Sequence, residues 1–318
     1  FGTGKKSPMS DSPVEIEYVV ADPLSGERID RVVSFFSGLS RSKVSVLIGA
    51  GLIKRNGITV KKGSEKAVEG DQLLFPDPEG MTPTPITPDS SVQFSVIFED
   101  DQVVVVDKPA GVVVHPGAGR ENGTLVNGLL ARYPDMKKVG ERDRLGLVHR
   151  LDKGTSGLLL VARTNSALET LRTQMENQMV GRQYFAIVSG HLSSNKGIIE
   201  APLGRDPRNP LRRAVVQNGK DATTHYEVKA TYDTPLKVTT VKCILETGRT
   251  HQIRAHFSAI NHPVLGDSLY GGKFLKAKEH RPALHAERIN FSHPMTKENL
   301  TFSSPLPDDL EQSLGLLS

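Results

Sequence analysis

The sequence predicts a mixed α+β protein, with a mainly antiparallel β-sheet main domain flanked by helices and a small α/β module ahead of it. Three observations carry this reading. β-Branched runs dominate the second part of the chain, at Gln102–Val106, Val112–His115, Leu158–Ala162, Tyr184–Val188, Tyr226–Thr231 and Val238–Glu246. Helical patterns there are few and do not alternate with the strands, which argues against a doubly wound parallel sheet. Between Phe75 and Ser91, FPDPEGMTPTPITPDSS holds five of the chain's 20 prolines. Proline fixes φ and lacks an amide donor, so this stretch reads as a linker between two domains. The expected organisation is a tail over 1–13, a small module over 14–76, the linker over 77–91 and the main domain over 92–318.

Within the module, Ile29, Val32, Val33 and Phe36 recur at helical spacing. Ser40 or Ser42 then caps a second helix, with Val44, Leu47 and Ile48 as its buried stripe and Gly51 as its stop. Asn56-Gly57 joins Leu52-Ile53 to Ile58-Thr59-Val60 as a hairpin, because both turn positions of that type need positive φ. A strand over Asp71–Phe75 closes the unit. The R-I-D-R start, the S-R-S-K-V helix and the G-L-I-K-R-N-G-I-T-V turn and strand resemble the S4 RNA-binding module. That resemblance implies RNA binding through helix and hairpin, with Arg41, Lys43, Lys54 and Arg55 as contacts.

In the main domain one helix starts from a cap near Ser166, with Glu169 completing a capping box, and runs through Leu168, Leu171 and Met175 to a stop at Gly181. A second starts after Thr250 and buries Ile253, Phe257 and Ile260.

The net charge is +4, from 40 Lys and Arg against 36 Asp and Glu. From Arg28 to Lys66 there are nine basic and two acidic residues, so this segment carries +7 and the other 279 residues −3. Such a concentration fits a phosphate backbone, although a solvated surface accounts for it equally well on charge alone. The single cysteine, Cys243, excludes a disulfide framework and zinc sites built on paired cysteines, and fits a reducing, cytoplasmic compartment. No apolar run approaches a membrane span.

The densest chemistry is Gly146-Leu-Val-His149-Arg150-Leu151-Asp152-Lys-Gly-Thr155-Ser156-Gly157, which leads into an apolar strand. A carboxylate on a tight loop at a strand's entrance can face a substrate. It can equally close a local turn onto the Thr155 or Ser156 amide. The kinase order His-Arg-Asp is absent, as are a Walker-A loop and a helical His-Glu-x-x-His; no metal site is expected, and the histidines are expected to hydrogen-bond structure or RNA. In Gly248-Arg249-Thr250-His251-Gln252-Ile253-Arg254, the spacing puts Arg254 on the polar side of a helix, where it can be aimed at Asp152.

Taken in chain order, Asp107-Lys-Pro-x-Gly111, His149-Arg-Leu-Asp152-x-x-Thr-Ser-Gly157, Arg182-Gln-Tyr184-x-Ala-x-Val-x-Gly190, Gly219-Lys-x-Ala-x-Thr-His-Tyr226, Gly248-Arg-Thr-His-Gln-Ile-Arg254 and Leu284-His285-Ala resemble the ribosomal large-subunit (RluA-type) family of pseudouridine synthases. With an S4 module ahead, the resemblance is to the RluD-like branch. It implies isomerisation of uridine to pseudouridine in large-subunit ribosomal RNA or a ribosome precursor, by a monomer that needs no cofactor, metal or membrane. By resemblance, Asp152 acts at C1′, Tyr184 stacks on the uracil and relays a proton, and Arg254 pairs with Asp152. Arg150 fills the gap left by the extruded nucleotide. His149, Arg205, Arg213 and Arg249 are expected RNA contacts. A non-catalytic RNA-binding assembly factor and a hydrolase releasing free uracil are the alternative readings.

Overall fold

A computed structural model describes residues 15–39, 41–77, 86–116, 122–140, 145–209, 211–275 and 281–318. The chain divides into two compact units, Phe1–Pro85 and Ile86–Ser318.

The first unit is a four-stranded antiparallel sheet with two helices. Its elements are β1 (Glu15–Val19), α1 (Ile29–Ser37), α2 (Arg41–Gly49), β2 (Lys54–Arg55), β3 (Ile58–Thr59) and β4 (Gln72–Pro76), in sheet order β1-β4-β2-β3. Asn56 and Gly57 both take positive φ, 51° and 77°, as the hairpin reading requires. Val44, Leu47 and Ile48 are buried with Ile29, Val32 and Val33, as their spacing predicts. Phe36 is not; it sits outside this core and stacks on Tyr18 at 3.5 Å between ring centroids. β4 runs two residues, Phe75 and Pro76, into the proline stretch, and the expected tail, Ser40 and the Ser42 side chain lie outside the described residues. Arg28 and Arg41 converge on the buried Asp30 at 2.8 and 3.1 Å, and Arg55 binds the buried Asp71 at 2.7 Å. These arginines answer buried carboxylates that would otherwise be costly to desolvate.

The second unit is built on a nine-stranded sheet, with elements β5 (Ser95–Glu99), β6 (Val103–Lys108), α3 (Leu125–Arg132), β7 (Ser156–Ala162), α4 (Asn165–Glu176), β8 (Gly181–Ser189), β9 (Lys196–Glu200), β10 (Leu203–Arg205), β11 (Arg213–Val215), β12 (Thr223–Tyr232), β13 (Val238–Leu245), α5 (Gln252–Ala259), β14 (Leu284–Ser292), β15 (Asn299–Ser303) and α6 (Asp308–Leu314). The strand order is β5-β6-β7-β14-β8-β13-β12-β9, with β15 beside β14 and a separate β10-β11 hairpin. Only β7 and β14 pair in parallel among the described strands. The apolar runs of β6 and β7 are continuous because both sheet faces are covered: Val104, Val106, Leu159 and Val161 face the α3 side, while Val103, Val105, Leu158 and Leu160 face α4.

Several boundaries differ from the sequence reading. Val112–His115 is not a strand; the carbonyls of Val113 and Val114 accept from the amides of Leu125 and Val126, the first turn of α3. That helix escaped the sequence reading because its box is Thr124 with Asn127 rather than Glu or Gln. α4 begins two residues earlier than expected, on Thr164, whose hydroxyl accepts from the Ala167 amide. It ends at Glu176, and Gly181 opens β8 instead of stopping the helix. Ile260 is half-buried. Residues 86–91, read as linker, lie on the second unit, where the Asn127 side chain donates to the Thr87 carbonyl and the Asp89 amide donates to the Asn127 carbonyl.

Gly157 shows why the Thr-Ser-Gly turn has its composition. It holds φ of +110°, and a Cβ there would lie 2.3 Å from the Ala286 carbonyl oxygen, because β7 and β14 meet backbone to backbone at this point. Gly157→Ala should therefore destabilise the second unit by at least about 2 kcal/mol, from strained φ plus the clash. A denaturant midpoint unchanged from wild type would contradict this.

Candidate active site

Four elements of the second unit converge on one cavity of about 560 Å³. The loop entering β7 contributes His149, Arg150 and Asp152, β8 contributes Arg182 and Tyr184, the β13–α5 loop contributes Arg249 and His251, and α5 contributes Arg254.

Its electrostatic centre is a carboxylate–guanidinium–carboxylate chain. Arg254 Nη1 donates to Asp152 Oδ2 at 3.0 Å, while Nε and Nη2 grip both oxygens of Asp267 at 2.6 and 3.0 Å. Asp267 is 1% exposed and Arg254 7%. Burial pulls the Arg254 pKa down, but the bonds and charges of Asp267 and Asp152 more than reverse this, so the net shift is upward. The predicted aim of Arg254 at Asp152 is thus what the fold contains. The alternative local turn is made by backbone, the Thr155 amide donating to the Asp152 carbonyl, which leaves the carboxylate for Arg254.

Tyr184 belongs to the core and to the cavity wall at once. Burial raises its phenol pKa, and the nearby Arg182 charge pulls it back in part. His251 sits at the start of α5 with φ of 58°; its Nδ1 is 3.0 Å from the Tyr270 hydroxyl and its Nε2 3.9 Å from Asp152 Oδ1. Burial lowers its pKa against the opposing Asp152 charge. Gln252 pins the loop before it, accepting from the Thr247 hydroxyl and the Arg249 amide.

Not every expected contact reaches the cavity. His149 lines it, but Nε2 accepts from the Leu160 amide of β7 at 3.1 Å, so this nitrogen fastens the loop to the sheet rather than meeting RNA. Burial, then the Arg182 charge, lower its pKa to about 3, so the ring is neutral. Arg150 and Arg249 are exposed at the cavity wall. Arg205 and Arg213 face each other across the β10-β11 hairpin, outside the cavity lining. Arg213 is tied back to the site through Tyr270, whose hydroxyl accepts from its amide and donates to its carbonyl. Arg41, Lys43, Lys54 and Arg55 lie in the other unit. His256 is structural, bridging the Thr224 hydroxyl and the Ala201 carbonyl.

Among the described residues, no three or more His, Cys, Asp or Glu side chains gather as a metal site, and no helix is long and apolar enough to cross a membrane.

Residues 102–259 match the family model described as RNA pseudouridylate synthase. The chain is 41% identical to a ribosomal large subunit pseudouridine synthase D of Xanthomonas campestris pv. campestris, over 94% of this chain and 91% of the relative. The chain belongs to the RNA pseudouridylate synthase family. A Neisseria meningitidis ribosomal large subunit pseudouridine synthase D is 39% identical over 97% of this chain and 83% of its own. The solved human RNA pseudouridylate synthase domain containing 1 superposes with a TM-score of 0.55 at 28% identity, over 69% of this chain and 86% of its own. As a pseudouridine synthase, the protein converts uridine to pseudouridine in RNA.

Lys108, Arg182 and Asp267 all stand within sequence motifs, but no local signal singles them out as site residues. Asp267 lies 13 residues beyond Arg254 and is recognisable only as its partner in space. Lys108 is fully buried, and its ammonium donates to the carbonyls of Pro109 and Val112 at 2.8 and 3.0 Å, with that of Lys153 at 3.5 Å, thereby steadying the loop that carries Asp152. Burial lowers its pKa from 10.5 to about 8, against the Asp152 charge.

This gives two opposed pH effects. Turnover should fall as pH rises through about 8, because a neutral amine has fewer protons with which to hold three carbonyls. Folding stability should move the other way: between pH 8 and 10.5 the unfolded chain keeps a proton that the folded one has released, so this group's penalty is relieved by up to roughly 3 kcal/mol. Wild-type stability minus that of Lys108→Met isolates the effect and should rise over that window; a constant difference would refute it.

Proposed function

We propose that the protein modifies large-subunit ribosomal RNA, alone or in a ribosome precursor, as a cytoplasmic monomer, with Asp152 as the group that acts at C1′. The observation that carries this is the Asp152 carboxylate, held by an arginine that is itself clamped by Asp267, facing a cavity walled by Tyr184.

The chemistry follows from charge. Breaking the N1–C1′ bond develops positive charge at C1′, which a carboxylate at that face stabilises, whether it adds to C1′ or removes the C2′ proton. Arg254 fixes the carboxylate's rotamer, so little reorganisation is required as charge develops. Tyr184 offers a flat face for the uracil and a hydroxyl that can relay the C5 proton. Rejoining C5 to C1′ gives an isomer, so no redox or group-transfer cofactor is required. Arg150 and Arg249 are placed to meet the strand from which the nucleotide is extruded. Directly opposed cations on one hairpin repel, so Arg205 and Arg213 favour an anionic partner such as a phosphodiester. The named relatives support the ribosomal substrate.

We read residues 14–76 as an S4 RNA-binding module and 92–318 as the catalytic domain, with 77–91 between them, of which residues 86–91 pack on the second unit. Because Arg41 and Arg55 are engaged by buried aspartates, the phosphate contacts of the module are assigned more to its lysines, among them Lys54, Lys61 and Lys62.

Asp152→Asn should abolish pseudouridine in ribosomal RNA, read as loss of carbodiimide-dependent primer-extension stops, while RNA affinity is kept. Persistent stops would remove Asp152 from the chemistry, and release of free uracil by wild type would favour the hydrolase reading. Replacing Lys54, Lys61 and Lys62 with Ala should lower the slope of log affinity against log salt by about 2–3. An unchanged slope would exclude these lysines as phosphate contacts.

A further inference from the structure

Arg182 is the anomaly of the cavity. It is 5% exposed, yet among the described residues it forms no ion pair. Nη2 donates to the Glu246 carbonyl at 3.1 Å, while Nε is buried without a hydrogen-bond partner. The guanidinium is pressed against Gly248, where a Cβ would lie 2.4 Å from Nη1. Arg182 lines the cavity and stands two residues before Tyr184 on β8, hence on the same face of the strand. A buried guanidinium without a carboxylate is costly unless an anion joins it during the working cycle.

The reaction generates such an anion. Resting on the functional reading above, we propose that Arg182 is the counter-charge for the uracil anion released when the N1–C1′ bond breaks. N1 keeps the bonding electron pair, and the negative charge spreads over N1 and the two carbonyl oxygens. This holds for either role of Asp152. If its oxygen bonds to C1′, its charge is lost to the ester; if it takes the C2′ proton, C1′ and C2′ become doubly bonded and Asp152 is neutral. In both cases uracil carries the charge until C5 bonds to C1′: in the first the C1′–O ester bond breaks and its electron pair returns to the Asp152 carboxylate, in the second C2′ takes its proton back from Asp152 as C1′ accepts C5. The C5 proton then departs and N1 is protonated. A phosphodiester is the less suitable occupant, because Arg182 is buried while Arg150 and Arg249 are the exposed cations of the cavity.

The test uses the full-length protein and single-turnover conversion of a ribosomal RNA fragment bearing uridine or 5-fluorouridine at the target position, followed by nuclease digestion and mass spectrometry. Fluorine at C5 stabilises the uracil anion itself, so the glycosidic bond then needs less help. Arg182→Met should slow loss of the target uridine by about 10²-fold or more, as removal of one preorganised charge-stabilising donor does. Its effect on 5-fluorouridine should be at least tenfold smaller, with RNA affinity unchanged and Arg182→Lys intermediate. Should the Met variant not fold, Arg182→Lys against Arg182→Gln reads the same contrast. Equal losses on both substrates would make Arg182 a structural support of the β13–α5 loop, and a loss confined to RNA affinity would make it a phosphate contact; either overturns the proposal. Wild type that leaves every RNA uridine intact would overturn the functional reading as well, whereas equal losses in an active enzyme overturn only the role of Arg182.

Discussion

The site depends on one buried cation shared between two carboxylates. Arg254 could not be placed in the interior by a single partner on a loop, since the desolvation of a guanidinium is large and a half-satisfied charge is costly. Asp267 supplies the fixed half. Its own carbonyl accepts from the amides of Tyr270 and Gly272, its amide donates to the Val264 carbonyl, and one carboxylate oxygen takes the Tyr270 amide. Held in that turn, Asp267 takes the Nε and Nη2 edge of Arg254 and directs Nη1 to Asp152. Tyr270 adds its ring, 5.0 Å from the Arg254 guanidinium carbon and 4.9 Å from that of Arg212, which couples the β10-β11 hairpin to the same charge centre. Asp152 is therefore oriented by a residue about 100 positions away, and that residue by a turn further still.

The loop bearing Asp152 is secured in a different currency, by cations on backbone carbonyls. Lys108 binds those of Pro109 and Val112 and approaches that of Lys153, which also accepts from the Gly111 amide at 2.7 Å. From the other side Arg281, paired with Asp309 of α6 at 2.7 Å, donates to the Gly154 carbonyl, the Ser156 hydroxyl and the Leu284 carbonyl. Ser156 continues through His285 toward Ser304. Gly-rich turns have the conformational freedom to approach a substrate and lose entropy when they are held in one shape. These bonds restrict that freedom over residues 153–156 without covering the carboxylate.

The convergence of Asp152, Tyr184 and Arg254 on one cavity was legible because each stands in one of the ordered motifs that carry the family resemblance. The hairpin at Asn56-Gly57 and the apolar stripes of α1 and α2 were legible for a local reason, since turn chemistry and helical periodicity are written within a few residues. What escaped was set by distant partners. Val112–His115 has strand composition, yet its carbonyls serve a helix start and a lysine. His149 looks like a polar contact, but its acceptor nitrogen faces a strand amide. Gly181 looks like a helix stop because a glycine after a helical pattern usually is one, while Asn290, packed where its Cβ would be, gives the reason for glycine at that point of β8. The basic segment read as a phosphate footprint includes arginines whose partners, Asp30 and Asp71, are buried within the same unit.

Three buried cations near one cavity thus meet three fates. Arg254 is neutralised by carboxylates, Lys108 is solvated by carbonyls, and Arg182 keeps its charge with one carbonyl and an unused donor. A fold optimised for stability alone would give Arg182 an acid or replace it with an apolar side chain, since either relieves the cost of an isolated buried charge. The same acid would cancel the field in the cavity, and the apolar side chain would remove it. A site that must separate a base from its sugar without adding water needs that field before the bond breaks, because dipoles and charges already in place need no reorganisation when the anion forms. The guanidinium, without an ion pair among the described residues, is thus an instability retained beside the carboxylate that Arg254 and Asp267 hold still.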